Sequence, residues 1–244
     1  MKFRLAGISQ LSTIDWPGNI SAVIFFQGCN LRCPWCQNVD TVDCRRGETV
    51  DVRKVIQQVK KSEPIVTAVV LSGGEPLLQP KAALNLLKDA GKLGLKRAIE
   101  TNATRPEALE LLLPHLDFVA VDVKAPLSNP ELYKRATGVK EEIVEKVGAS
   151  IELVMDAKVP LEARTTIVPT LTDDEGVIWA ISREIKKIPS FRLQQFRNLV
   201  TLNPEFQRFP PPSRERLLSL AGVAKRAGVK EVKIFTTEKG LERV

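Results

Sequence analysis

The chain has 244 residues, 43% of them hydrophobic and 27% charged, with a formal net charge of +7. Such a length suits one globular domain, 1–244, and no apolar run is long enough to span a bilayer; the longest, such as 21–26, are strand-sized. The N-terminus MKFRLAGISQ has basic residues with no apolar block behind them, so no signal peptide is read and the expected location is cytoplasmic, with no membrane partner.

In chain order, short apolar runs alternate with helical patterns. Residues 20–27 read as a strand ending at Gly28. Val52, Val55, Ile56 and Val59 recur at i, i+3, i+4, i+7 and predict an amphipathic helix over 50–61, with Thr49 as its N-cap. A β-branched run over 66–71 precedes Gly73-Gly74, and 80–90 is helical with Gly91 as its stop. Residues 96–101 form a strand, 105–113 a helix capped by Thr104, and 117–123 another strand. The stretch 129–159 is less regular, with a helix expected around 149–157.

Further on, 161–168 is strand-like, and Thr172-Asp-Asp-Glu175 reads as a capping box opening a helix through Lys187. A strand at 192–196, a helix at 213–227 stopped by Gly228 and a last strand at 231–236 complete the pattern. Strands alternating with helices imply an α/β fold with a mostly parallel sheet, its ligand site at the C-terminal ends of the strands. Periodicity leaves barrel and open sheet undecided.

Lys and Arg are spread along the chain without a basic tail or an aromatic-interleaved basic run, so no nucleic-acid partner is expected. The excess charge can steer an acidic protein or an anionic ligand. Three of the four cysteines lie within eight residues, Cys29-Asn-Leu-Arg-Cys33-Pro-Trp-Cys36, just after the first strand, and Cys44 follows. A tight cluster in a chain without a secretion signal reads as metal-binding or catalytic rather than as a disulfide framework. Three thiolates on one loop can hold three irons of a cubane and leave the fourth open to a ligand. The competing reading is a structural zinc site with Cys44 as fourth ligand, although zinc sites favour separated Cys pairs or Cys with His, and the only histidine is His115. Cys44 reads more simply as a small hydrophobe or a spare thiol.

Every other chemical motif falls at a strand end. Ser72-Gly-Gly-Glu-Pro76 follows the second strand, where two glycines let a ligand approach the backbone and Glu75 offers an acceptor. Glu100 and Asn102 share one strand face, as do Asp122 and Lys124. Charges closing an apolar strand are costly unless they serve a site or sit solvated at the rim, where each would be a plain salt bridge.

CxxxCxxC with Trp35 before the last cysteine, followed by SGGEP after the next strand, resembles the radical S-adenosylmethionine superfamily. The resemblance implies a partial (β/α)6 barrel with a core over about 18–200 and a C-terminal helix and strand in 201–244. It also implies a 4Fe–4S cluster on Cys29, Cys33 and Cys36, and S-adenosyl-L-methionine as the second cofactor. Gly73, Gly74 and Glu75 would take the amino group of its methionine part, with help from Glu100, and Asn102 would also meet the methionine part. Asp122 and Lys124 would also meet the methionine part, Lys124 at its carboxylate. Arg164 would lie near cofactor and substrate, and Trp35 beside the cluster and the adenine.

The leader Leu11-Ser-Thr-Ile-Asp-Trp-Pro-Gly18 and Val23-Ile-Phe-Phe-Gln-Gly-Cys29 resemble the activating proteins of glycyl-radical enzymes, the anaerobic ribonucleotide reductase branch above all. This implies an oxidoreductase whose partners are a glycyl-radical enzyme and a flavodoxin or ferredoxin donor. Gln37 stands where the family usually has His, and Phe196-Arg197 replaces a Tyr-His pair, which weakens assignment to pyruvate formate-lyase. A radical enzyme acting on a small molecule or RNA base, and a zinc-binding non-enzymatic protein, are the alternatives.

Overall fold

A computed structural model of the protein describes residues 1–141 and 143–244. The strands are β1 (Lys2–Ser12), β2 (Ser21–Phe26), β3 (Glu48–Asp51), β4 (Ala68–Gly73), β5 (Lys96–Thr101), β6 (Phe118–Asp122), β7 (Leu161–Ile167), β8 (Ser190–Gln195), β9 (Glu231–Thr236) and β10 (Gly240–Arg243). The helices are α1 (Val52–Lys60), α2 (Pro80–Lys92), α3 (Pro106–Leu112), α4 (Pro130–Thr137), α5 (Val144–Asp156), α6 (Glu175–Ile185) and α7 (Arg214–Arg226). The strands join in one sheet of order β10-β9-β8-β7-β6-β5-β4-β2-β1-β3. From β2 through β9 every neighbouring pair is parallel, while β1, β3 and β10 pair antiparallel at the two ends. The result is the mixed α/β architecture of a partial barrel, with β1 and β3 added beside β2 at one end and β10 beside β9 at the other.

Alternate strand residues face opposite sides. Leu71, Ile99, Val119 and Leu161 belong to the large core that includes the apolar faces of the helices, such as Leu86 and Leu87 of α2. Val23, Val70 and Ala98 form a separate small cluster on the other, inner face, with Trp16, Phe25 and Phe118 against it. Trp16 stacks on Phe118 with ring centroids 5.3 Å apart, so the leader segment fills this part of the inner face. Further along the same face the strands turn polar: Ser72 on β4 and Glu100 on β5 two residues on, and Asp122 on β6 four residues beyond Phe118.

Several helix starts differ from the sequence expectation. The N-cap of α1 is Asp51, whose carboxylate accepts from the Arg53 N–H, because Glu48–Asp51 including Thr49 is drawn into pairing with β1. α3 starts after Arg105 without a side-chain cap, and Thr104 instead bonds Asn102 and Asn30. The N-cap of α6 is Asp174, not Thr172, whose hydroxyl is spent on the Val168 N–H and the Thr166 carbonyl in the preceding turn. Within 129–159 there are two helices, α4 and α5, and α5 starts well before 149; position 142 lies outside the described residues.

Candidate active site

The parallel strands deliver their C-terminal ends to one cavity of about 260 Å³, close to the lower end of ordinary small-molecule sites. Cys29, Cys33 and Cys36 line it, as do Gly73, Glu100, Asn102, Asp122, Lys124 and Arg164 from the ends of β4 to β7.

The cysteine loop leaves β2 through Gly28, which has φ +98°. Its backbone is tied at Gly28 N–H to the Thr41 carbonyl (2.7 Å) and at Cys29 N–H to the Val42 carbonyl (3.1 Å). The Trp35 indole N–H donates to the Ala136 carbonyl (2.9 Å) and the Arg32 N–H to the Thr137 carbonyl (2.8 Å), which fastens the loop to α4. Cys36 N–H closes a turn onto the Cys33 carbonyl at 3.0 Å. The three sulfurs therefore face one space from a braced backbone. Cys44 is exposed, is not among the residues around the cavity, and packs against Gly28 instead.

Among the described residues no three His, Cys, Asp or Glu side chains converge as single-ion ligands do. Three cysteine thiols on one loop are the donor type of a 4Fe–4S cluster, in which each thiolate serves a different iron. Without such a charge, burial pushes the Cys29 thiol up to about 11 and the Cys33 thiol up to about 12, and burial also raises Cys36. Lys124 opposes the shift in all three.

Gly73 and Gly74 have a different first duty from the one read in the sequence. A Cβ on Gly73 would stand 2.4 Å from the Phe26 backbone N, and one on Gly74 2.2 Å from the Gly28 carbonyl oxygen. What approaches these glycines is the backbone of the cysteine loop itself. Glu75 N–H then donates to the Gly28 carbonyl at 2.8 Å and Gly74 N–H to the Phe26 carbonyl at 2.9 Å. The Glu75 carboxyl, expected to face an ammonium, is fully buried and is not among the residues lining the cavity. Its oxygens accept from Thr101 Oγ1 (2.8 Å), Leu77 N–H (2.9 Å) and Asn102 N–H (2.8 Å). Burial pushes that carboxyl up to about 7, against the two backbone hydrogen bonds that favour its ionised form.

Asp122 and Lys124 form an ion pair at 3.1 Å, and the Lys124 ammonium lies 5.0 Å from the centroid of the Trp35 ring. Burial works against the lysine charge, but Asp122 together with Cys33 and Tyr133 more than restores it, so the group is held protonated above its usual range. Ser72 Oγ donates to Glu100 at 2.7 Å, and Arg164 pairs with Glu100 and with Glu162. Asn102 Nδ2 donates to Asn30 Oδ1 (3.0 Å) and stands 3.9 Å from Cys29 Sγ. The cavity thus carries paired acids and bases on adjoining strand ends, the arrangement that suits a zwitterion bearing both an ammonium and a carboxylate.

Sequence reasoning missed a further charged layer. Sheet register aligns Arg164 with Arg192 and Arg192 with Lys233 across β7, β8 and β9. All three gather on Glu162, at 2.9, 2.6 and 3.1 Å. Burial tends to raise the Glu162 carboxyl, but the three cations hold it below its usual value. Arg192 Nη2 meets Glu162 by distance only; neither it nor Nε has a hydrogen bond of proper angle, and burial pushes the guanidinium down to about 10. Thr166 and Gln194, two residues beyond Arg164 and Arg192, also line the cavity. The same i, i+2 rule that singled out Lys124 would have found them.

The chain matches the radical SAM superfamily over residues 23–178. It is 35% identical, across 93% of both chains, to a protein of Methanocaldococcus jannaschii provisionally named a glycyl-radical enzyme activating enzyme. It is 32% identical to the pyruvate formate-lyase-activating enzyme of Clostridium pasteurianum, over 76% of this chain and 77% of that one. A radical SAM methyltransferase from Sphaerobacter thermophilus superposes with a TM-score of 0.71 at 16% identity, over 90% of this chain and 67% of that one.

Proposed function

The chain belongs to the radical SAM superfamily, and on that premise we propose that it is a glycyl-radical enzyme activase whose partner is an anaerobic ribonucleoside-triphosphate reductase. The observation that carries the reading is the meeting of three cysteine sulfurs with paired acids and bases, Glu100–Arg164 and Asp122–Lys124, around one cavity. Cys29, Cys33 and Cys36 would hold the family's 4Fe–4S cluster, which, once reduced by an external donor, would supply the electron for cleaving S-adenosylmethionine to methionine and a radical able to take a hydrogen atom from a glycine of the partner.

The chain's own residues then have definite tasks. Lys124 presents a permanent cation to a carboxylate, with Trp35 fixing its position. Glu100, oriented by Ser72 and Arg164, presents an acceptor to an ammonium. Asn102 steadies the loop through Asn30 beside Cys29. Glu75 braces the ends of β4 and β5, so Gly73 and Gly74 keep the two loops at van der Waals distance. The zinc reading gives way to the family assignment, and Cys44, its fourth ligand, lies apart from the cavity.

The leader 11–18 supports the reductase branch, and Gln37 in place of the usual His weakens assignment to pyruvate formate-lyase. A small acidic flavodoxin or ferredoxin suits the net charge of +7 as donor. The test is anaerobic: reconstitute with iron and sulfide, reduce with dithionite, add S-adenosylmethionine and assay 5′-deoxyadenosine for wild type and Cys33→Ala. Product from the wild type alone, followed by a glycyl-radical signal on the purified reductase, is the expected result. Cleavage that needs a small molecule or RNA, with no radical on the reductase, would move the assignment to those substrates.

A further inference from the structure

Among the described residues, large exposed apolar side chains occur singly or in the leader, with one adjoining pair: Leu199, 83% exposed, and Val200, 54% exposed. Isolated exposed aliphatics are ordinary, but adjoining ones at the rim of a cavity need a reason.

Their place in the fold supplies one. Both lie in the segment between β8 and α7, and that segment is pinned to the cysteine loop on either side of them. Before them, Gln37 Nε2 donates to the Arg197 carbonyl at 2.9 Å, and Arg197 itself lines the cavity. After them, Leu202 N–H donates to the Cys36 carbonyl at 3.1 Å and Asn203 N–H to the Pro34 carbonyl at 2.8 Å. Asn198 Nδ2 donates to the Gln207 carbonyl and Thr201 Oγ1 to the Asn203 carbonyl, so the polar groups around the pair are spent within the segment. A strap tied at both ends thus holds two aliphatic side chains out into solvent beside the cavity mouth.

We propose that Leu199 and Val200 are the apolar anchor on which the partner protein docks when its glycine-bearing segment enters the cavity. This rests on the activase reading above. A small polar substrate gains nothing from aliphatic groups outside the cavity, whereas a protein that must bring a backbone glycine to this mouth buries the rim as it does so. Burying these two aliphatic side chains against a partner removes apolar surface from water, which favours association. The strap also holds the carbonyls of Pro34 and Cys36, so the surface that meets the partner is continuous with the loop that holds the cluster.

The test uses the reconstituted holoenzyme, the double variant Leu199→Ser/Val200→Ser, the conservative variant Leu199→Met/Val200→Ile, and the anaerobic ribonucleotide reductase of the same organism. The expected result is a KM for the reductase raised about tenfold or more in the serine variant and recovered in the conservative one. Its kcat at saturation, iron content and dithionite-driven 5′-deoxyadenosine formation without partner should stay as in wild type. An unchanged KM overturns the docking role. Loss of partner-free cleavage as well makes the strap a support of the cluster loop and overturns it too. If wild type cleaves S-adenosylmethionine but leaves no radical on the reductase, the partner assignment itself falls, and this docking role with it.

Discussion

Gly74 and Gly28 meet backbone to backbone: a Cβ on Gly74 would stand 2.2 Å from the Gly28 carbonyl oxygen, and the next residue's N–H donates to that oxygen at 2.8 Å. Gly74→Ala must therefore push apart the SGGEP turn and the cysteine loop. Overpacking of this kind costs about 1–3 kcal/mol. The expected outcome is a several-fold fall in iron bound after reconstitution, measured with iron and sulfide assays. Gly148 in α5 is the contrast, since nothing lies within 4 Å of its added Cβ. Gly148→Ala should raise stability by about 0.5–1 kcal/mol in denaturant titrations and leave iron content unchanged.

Glu75 gives the metal-free protein a pH signature. Its folded-state value of about 7 lies above the ordinary 4.5, so between those two the unfolded chain has released a proton that the folded chain keeps. This contribution is most favourable below 4.5 and is lost as pH rises toward 7, by roughly 3 kcal/mol in all. The stability difference between wild type and Glu75→Gln should shift in favour of the variant across that window. A difference constant from pH 5 to 7.5 in chemical denaturation would show that the carboxyl is already ionised in the fold.

Lys124→Met keeps an unbranched chain beside Trp35 but removes the charge opposite Asp122. The cluster should assemble with normal absorbance, because the cysteines are untouched. The KM for S-adenosylmethionine should rise about 10–100-fold, the loss expected for a charge-assisted contact worth roughly 1.5–3 kcal/mol. Failure to assemble the cluster would place Lys124 in loop support rather than cofactor binding.

Glu162 is the shared counter-ion of Arg164, Arg192 and Lys233, with a side chain 2% exposed. Glu162→Gln leaves buried cations without their partner, a change that costs about 3–5 kcal/mol. Urea unfolding midpoints should fall accordingly, and Cys33→Ala, which touches none of these groups, should not show the same loss. Because the Glu162 carboxyl lies below its unfolded value, its stabilisation is present above that value and is lost as acid protonates it in the fold.

The parallel strands were legible as short β-branched runs between turn residues, with β4 apolar on both faces and β9 alternating; β5 and β9 have the bounds expected from the pattern. The antiparallel ends were not. β1 does alternate, with Phe3 and Leu5 buried between exposed neighbours, but its leader has no helix following it to mark a β/α unit. β10 has four residues, too few for a period. The N-cap position of α5, Ile143, makes no side-chain cap, so nothing local announced the helix. At the site, the cysteine spacing and the i, i+2 charges were readable from neighbours in sequence. The gathering of Arg192 and Lys233 on Glu162 depends on register between three strands, which no single segment encodes.

The sheet's two end strands, β3 and β10, are each four residues long and carry charge: Glu48 and Asp51 on one, Glu242 and Arg243 on the other. A sheet that ends in free backbone donors and acceptors is a template for any extended chain, including a copy of itself. Short, charged borders deny that template its length and its neutrality. Two of these charges also have other employment, Asp51 as the N-cap of α1 and Glu242 as the partner of Arg214 at 2.6 Å. Neutralising the borders would therefore weaken local folding and invite self-association together, so protection against aggregation here is inseparable from the anchoring of the first and last helices.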